Sequence, residues 1–380
     1  MSIETILANA RVVTNGDCFR GSVLVRDGRI HAVDRGGIVP PGGEDLEGDY
    51  LLPGLIELHT DNVEKQMVPR PGVMWPSSLS ALLAHDAQVI AAGITTVLDA
   101  IAVGEYSDGS RRREILPKVV EAVREGRRAG LFRADHLLHM RCEIADRSVL
   151  DMFEPVSDDP LICLVSVMDH TPGQRQWHDI EKYRNFYSDK GWTDSQFQVE
   201  VAKRREWQAA YAESSRRAIL DIARRRGITL ASHDDTTVEH VEEAVASGIR
   251  ISEFPTTMAA ARHAKASGMT TIAGAPNIVR GGSHSGNVSA AELAAEGMLD
   301  ALSSDYVPNS LLHAAFVLTE TVGMSLPAAI ATVSANPARM VGLDDRGEIS
   351  VGRRADLIRV RLHEGTPVVR RVWGGGCVVV

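Results

Sequence analysis

An α/β chain built around one (β/α)8 barrel, with a small β-sandwich domain formed by both termini, is what this 380-residue sequence predicts. Three observations predict it. Helical runs that stop at a glycine are each followed by a short apolar strand. Six such pairs and two further apolar segments make eight strand candidates. Both chain ends, by contrast, read as short β segments without helices. Strands that alternate with helices pair in parallel, and eight of them close into a TIM-type barrel. An open doubly wound sheet is the rival, but no GxGxxG follows the first strand.

The elements run as follows. "SVLVRDGRIHAV" alternates apolar and polar residues, and its Asp27-Gly28 is a two-residue hairpin signal. "PPGGEDLEGD" breaks that pattern. "LLPGLIELHTD" is the first barrel strand. "LLAHDAQVIAAG" leads into "ITTVLDAI", and "VVEAVREGRRAG" into "LFRADHLLHMRCEI". "PLICLVSVMDH" is the fourth strand. "RRAILDIARRRG" precedes "ITLASHDD", "EHVEEAVASG" precedes "IRISEFPTT", "AARHAKASG" precedes "MTTIAGAPN", and "AELAAEG" precedes "MLDALSSDY". Glycine punctuates these joints because it turns left-handed after a helix at no steric cost. "GEISVGRRADLIRV" and "PVVRRVWGGGCVVV" return to β. The domains are therefore residues 1–53 with 336–380 for the small sheet domain, and 54–335 for the barrel. Residues 171–216 are long, charged and aromatic, and read as a helical insertion after the fourth strand, where a barrel places a lid or a substrate wall.

Composition narrows the function. A net charge of -9 argues against non-specific nucleic-acid binding, which needs a basic surface. Cys18, Cys142, Cys163 and Cys377 are scattered, so neither a disulfide framework nor a zinc knuckle is expected, and reduced thiols in the cytoplasm are. "MSIETILANARVV" has no long apolar core of a secretory signal. No apolar run approaches the ~18 residues of a membrane span. Homo-oligomer formation is left open.

Barrel active sites sit at the C-terminal ends of the strands. The first strand ends in His59 and Asp61, two apart and so on one face. The third ends in Glu143, the fourth in Asp169 and His170, the fifth in His233, and the eighth in Asp305. Singly, each could be a solvated group or a helix cap. Together on one rim they form a candidate metal site: His59, Asp61, Glu143, His170, His233 and Asp305. Imidazole and carboxylate suit Zn²⁺, with Mn²⁺ or Fe²⁺ as alternatives. Either one ion binds, or two do, ~3.5–4 Å apart with a carboxylate between them. An Asp beside an activated water can take its proton, and Asp305 is the candidate base. Asp234 and Asp235 either orient His233 or cap the next helix. His136 and His139 lie on opposite strand faces, so at most one points inward. Arg111, Arg112 and Arg113 read as a solvated face.

These residues carry a resemblance. "PGLIELHTD", the strand-end histidines, "LSSDY" and "ANPARMVGL" with "GEISVGRRADLIRV" resemble the amidohydrolase superfamily of metal-dependent hydrolases. "LHTDNVEKQMVPRPGVMWP", "ADHLLHMRCE", "SVMDHTPGQRQ", "LASHDD", "EFPTT" and "GAPNIVRGGSHSGN" resemble, more narrowly, its diphosphatase family of bacterial phosphonate metabolism, the PhnM type of the carbon–phosphorus lyase pathway. The resemblance implies hydrolysis of α-D-ribose 1-methylphosphonate 5-triphosphate to the 5-phosphate and pyrophosphate. The sequence departs from the wider superfamily in three ways. Its first motif is His-x-Asp. No strand-end lysine is present to bridge two metals, which leaves that task to Glu143. His170 and His233 each fall one strand earlier than the usual pair.

A triphosphate needs cations and backbone N–H groups around it. Lys65 and Arg70 follow the first strand, Arg175 follows the fourth, and Arg280, Ser283 and His284 sit in a glycine-rich loop after the seventh. All six are expected to bind a phosphorylated sugar. A C–N hydrolase, such as a deaminase or cyclic-amide hydrolase, is the competing reading, and release of ammonia or a carboxylate instead of pyrophosphate separates the two.

Overall fold

A computed structural model describes residues 4–105, 111–283 and 286–380. The terminal sheet holds β1 (Glu4–Val13), β2 (Cys18–Arg26), β3 (Arg29–Arg35), β4 (Glu44–Asp45) and β5 (Tyr50–Pro53). The barrel holds β6 (Leu55–Thr60), β7 (Ile94–Val103), β8 (Asp135–Glu143), β9 (Ile162–Met168), β10 (Thr229–His233), β11 (Ile251–Glu253), β12 (Thr270–Gly274) and β13 (Ala301–Ser303). The chain returns to the terminal sheet with β14 (Leu357–His363), β15 (Thr366–Gly374) and β16 (Cys377–Val378). All eight barrel strands lie where the glycine-punctuated segments place them.

The eight barrel strands pair in parallel and in sequence order. Closure comes from the first and last strands. The Asp305 amide donates to the His59 carbonyl at 3.0 Å, and the Asp61 amide donates to the Asp305 carbonyl at 2.9 Å. Buried Glu57 reinforces the seam by accepting the amides of His59 (2.7 Å) and Ser304 (2.6 Å). Period-two alternation then sorts the interior into levels. Leu137, Leu164, Ala231 and Ile251 fill the floor. Two residues further along the same strands stand His139, Ser166, His233 and Glu253. The apolar floor excludes water beneath the polar layer. The helix Ala335–Met340 adds Ala338 to that floor and straddles the 335/336 division read from the sequence.

The terminal strands make one sheet in the order β16-β15-β14-β5-β1-β2-β3, with β4 paired to β1. β5 joins the two chain ends, lying parallel to β1 and antiparallel to β14. It passes through Pro53-Gly54 directly into β6, which fixes the first barrel strand against this sheet. The sheet also curls over its own core of Leu7, Val23, Leu51 and Trp373, because the Ile30 amide reaches the Arg353 carbonyl at 2.9 Å. The segment after β9 forms the helix Ile180–Phe186 and then a 33-residue helix, Asp194–Arg226. The long helix starts with a Thr193/Gln196 capping box and stops at Gly227, whose φ of 66° suits glycine. Trp177, Tyr183, Phe197 and Val201 give the insertion its own small core. Among the described residues no helix is long and apolar enough to cross a membrane.

Candidate active site

A cavity of about 370 Å³ opens at the C-terminal ends of the barrel strands. His59, Asp61, His170, His233 and Asp305 all line it, as does Asp234. Three residues that follow strand ends carry left-handed backbone: Asp234 (φ 57°), Phe254 (φ 55°) and Asp305 (φ 54°). Such conformations cost energy and persist where packing enforces them, often at functional sites. Here each turns its side chain into the cavity.

Two groups of donors meet there. His170, His233 and Asp234 offer ligand atoms within 4.8 Å of one another, and so do His59, Asp61 and Asp305. The first group fits a divalent ion on direct grounds. Buried His233 makes no well-formed hydrogen bond through either ring nitrogen, and its Nδ1 stands 2.9 Å from Oδ2 of buried Asp234, which makes none either. Buried polar atoms are rarely left so, and a cation would satisfy one nitrogen of His233 together with Oδ2 of Asp234. His170 is prepared in the same sense. Its Nδ1 donates to Glu143 Oε2 at 2.6 Å, which leaves Nε2 to face Asp234 at 3.6 Å. Burial opposes a charge on that ring, yet Glu143 and Asp234 lift its pKa to about 9. Asp234 is held below the usual carboxylate range despite its burial, by the His233 and His170 rings.

A second chain of contacts lies deeper. His59 Nδ1 donates to Glu253 Oε1 at 2.7 Å. Ser166 donates to Glu253 Oε2 at 2.7 Å and lies 2.6 Å from His139 Nε2. Burial resists a charge on His59, but Glu253 outweighs it and raises the ring to about 10. Burial, helped by the nearby charges of His59 and Arg141, pushes His139 down to about 3. His139 thus faces the interior. His136 faces outward, bonded to Asp99, as alternation requires. Asp61 is held well below the usual carboxylate range against the effect of its burial, chiefly by the Arg141 guanidinium bonded to it.

Several sequence expectations need correcting. Glu143 does not line the cavity. Both its oxygens are taken by His170, Oε1 by the backbone amide at 3.0 Å and Oε2 by the ring, so it supports a candidate ligand from behind. Arg175 is buried and turned away from the cavity. Its Nη1 donates to Asp235 Oδ1 at 2.6 Å and to the His233 carbonyl at 3.1 Å, tying the insertion to the end of β10. Lys65 is exposed and donates to the Tyr306 carbonyl at 3.1 Å, and exposed Arg70 pairs through its backbone with Val73; neither lines the cavity. Arg280 and Ser283 do line it. His284 lies outside the described residues. Arg112 is no mere surface charge, since its field reaches Asp61 and Glu143. Sequence reasoning gave neither Arg141 nor Glu253 a place in the site. Their signal was available: Arg141 is two residues before Glu143 on one face, and Glu253 is two residues after the floor residue Ile251.

A family model described as the amidohydrolase family matches residues 50–379. The chain belongs to the amidohydrolase family. It is 46% identical over 374 residues to alpha-D-ribose 1-methylphosphonate 5-triphosphate diphosphatase of Escherichia coli (strain K12), covering 98% of this chain and 99% of that protein. Solved structures resemble this amidohydrolase in fold. 5-Methylcytosine deaminase from Klebsiella pneumoniae gives a TM-score of 0.66 at 15% identity over 100% of this chain and 97% of its own. N-acetylglucosamine-6-phosphate deacetylase from Pasteurella multocida gives 0.65 at 15% identity over 99% of each chain. At that identity the two speak for the fold alone. In this amidohydrolase the first barrel strand leads into His59 and Asp61, and Arg141 bonds Asp61.

Proposed function

We propose that the chain hydrolyses α-D-ribose 1-methylphosphonate 5-triphosphate to the 5-phosphate and pyrophosphate, in the cytoplasm, as a step of phosphonate breakdown. The full-length 46% identity to the E. coli diphosphatase carries this reading. The cavity supports it, since donors for a divalent ion line the same cavity as Arg280 and Ser283.

His170, His233 and Asp234 would hold the ion, with Zn²⁺ the best match to two imidazoles and a carboxylate. When bound, it lowers the pKa of a coordinated water and draws charge from phosphoryl oxygens. The protein supplies the rest. Asp305 faces the same cavity and accepts the proton of the attacking water. Arg280 neutralises triphosphate oxygens, and Trp177 and Phe186 of the insertion form an apolar wall that excludes water from the sugar. Attack on one phosphorus breaks a phosphoanhydride bond, and pyrophosphate leaves with the bridging oxygen.

Pyrophosphate release from the sugar triphosphate, and in parallel from ATP, tests the reading. Release from the sugar triphosphate that disappears in Asp305→Asn supports it. Ammonia or carboxylate release from amine or amide substrates, with none of pyrophosphate, would replace it.

A further inference from the structure

The second donor group, His59, Asp61 and Asp305, looks at first like the place for a second ion. One contact changes that. Arg141 Nη1 bonds Asp61 Oδ1, the same oxygen that stands 3.5 Å from His59 Nε2. A metal would have to sit ~2 Å from that oxygen. It would then press against a guanidinium that remains charged at any ordinary pH, and two cations at such range repel strongly. An ion bound through the oxygen's second lone pair would share that oxygen with the guanidinium.

Arg141 is also incompletely used. Its side chain is 14% exposed and lines the cavity. Its Nε is buried and has no partner. That atom is sealed off, so an incoming oxyanion would meet the exposed part of the guanidinium that lines the cavity. Guanidinium groups bind phosphate in a fork, through two N–H groups at once. Asp61 takes one Nη and so fixes the plane of that fork.

We infer that Arg141 takes the place of a second metal ion: the chain binds one divalent ion, at His170, His233 and Asp234, and Arg141 supplies the other positive charge directly to a phosphoryl group of the substrate. The inference rests on the reading of the cavity as a phosphoanhydride-cleaving site. It also explains why the chain manages without a strand-end lysine or a free Glu143 carboxylate, which only a pair of ions would need between them.

Metal content and ligand binding test this together. Protein loaded with excess Zn²⁺ and desalted should hold one zinc per chain by mass spectrometry, should still hold one in Asp61→Asn, and should hold none in His233→Ala. Two zincs in the wild type overturn the inference. Inorganic pyrophosphate, titrated calorimetrically into the zinc-loaded protein, should bind Arg141→Met more weakly by about tenfold or more, the effect of losing a hydrogen bond to a charged group. Arg141→Lys keeps the charge without the fork; it should also bind more weakly, and it decides the matter if Arg141→Met does not fold. Unchanged pyrophosphate affinity in the folded variant overturns the inference. Neither readout depends on which sugar is the substrate, so failure here is distinguishable from failure of the proposed reaction.

Discussion

Glu143 grips His170 at two points, its Oε1 accepting the backbone amide at 3.0 Å and its Oε2 the ring Nδ1 at 2.6 Å. The end of β8 thereby sets both the position and the tautomer of a candidate ligand at the end of β9. Carboxylates behind ligating histidines fix the ring and make it a better donor, and their loss typically costs 10–100-fold in metal affinity or activity. Glu143→Gln should therefore weaken zinc retention by about that factor while leaving the fold intact. Competition with a chelator measures it. An affinity equal to wild type would assign Glu143 to packing alone.

Arg175 should behave in the opposite way to Arg280. It is 7% exposed and paired with buried Asp235. Removing one partner of a buried pair leaves an uncompensated charge, at a cost of about 3 kcal/mol. Arg175→Ala should lower the melting temperature clearly, and the protein that remains folded should keep its KM. A raised KM with unchanged melting would return Arg175 to the substrate.

Arg280 is exposed at the end of the helix Ala275–Arg280 and faces the cavity. Arg280→Ala should change stability by less than about 0.5 kcal/mol, as surface substitutions do. It should raise KM for the triphosphate about tenfold, the cost of one charge-assisted contact. Steady-state kinetics beside thermal melting separate the two effects.

A buried network behind the barrel wall predicts a pH dependence. His136 Nδ1 donates to Asp99 Oδ2 at 2.8 Å, and His85 Nε2 donates to Asp99 Oδ1 at 2.7 Å. Burial works against a charge on His136, yet Asp99 and Asp86 raise it from 6.5 to about 9. The folded ring holds its proton more tightly than the unfolded chain does. Its contribution to stability is complete below pH 6.5 and is lost as the pH climbs through 9. Asp99 sits on the other side of the same balance. Burial raises it, the two imidazoles lower it further, and its share is lost only in acid, as the pH falls below the ordinary carboxylate value. The gap in melting temperature between wild type and His136→Gln should thus be widest in the mildly acidic range below pH 6.5 and narrow as the pH climbs toward 9. A gap that widens with rising pH would contradict this account.

The barrel was legible because its signals are local. A glycine ends a helix within a few residues, and an apolar strand declares itself by composition. Strand-end polar residues were legible for the same reason, and His59, Asp61, His170, His233 and Asp305 do share one cavity. Direction beyond the strand end was not legible. Arg175 adopts a φ of 45° and swings onto Asp235, 60 residues away along the chain. No local pattern carries that information.

By itself, the sequence determined the strand order and the rim on which its donors stand, since alternation and helix termination act between near neighbours. Tertiary structure alone decided which donors remain free for a ligand. Glu143 is consumed by His170, Arg175 by Asp235, and Asp61 by Arg141, while His233 and Asp234 are left with buried atoms unsatisfied. Those pairings join different strands across the barrel mouth. They follow from closure of the sheet, which brings charges distant in sequence into contact and lets the nearest partner win.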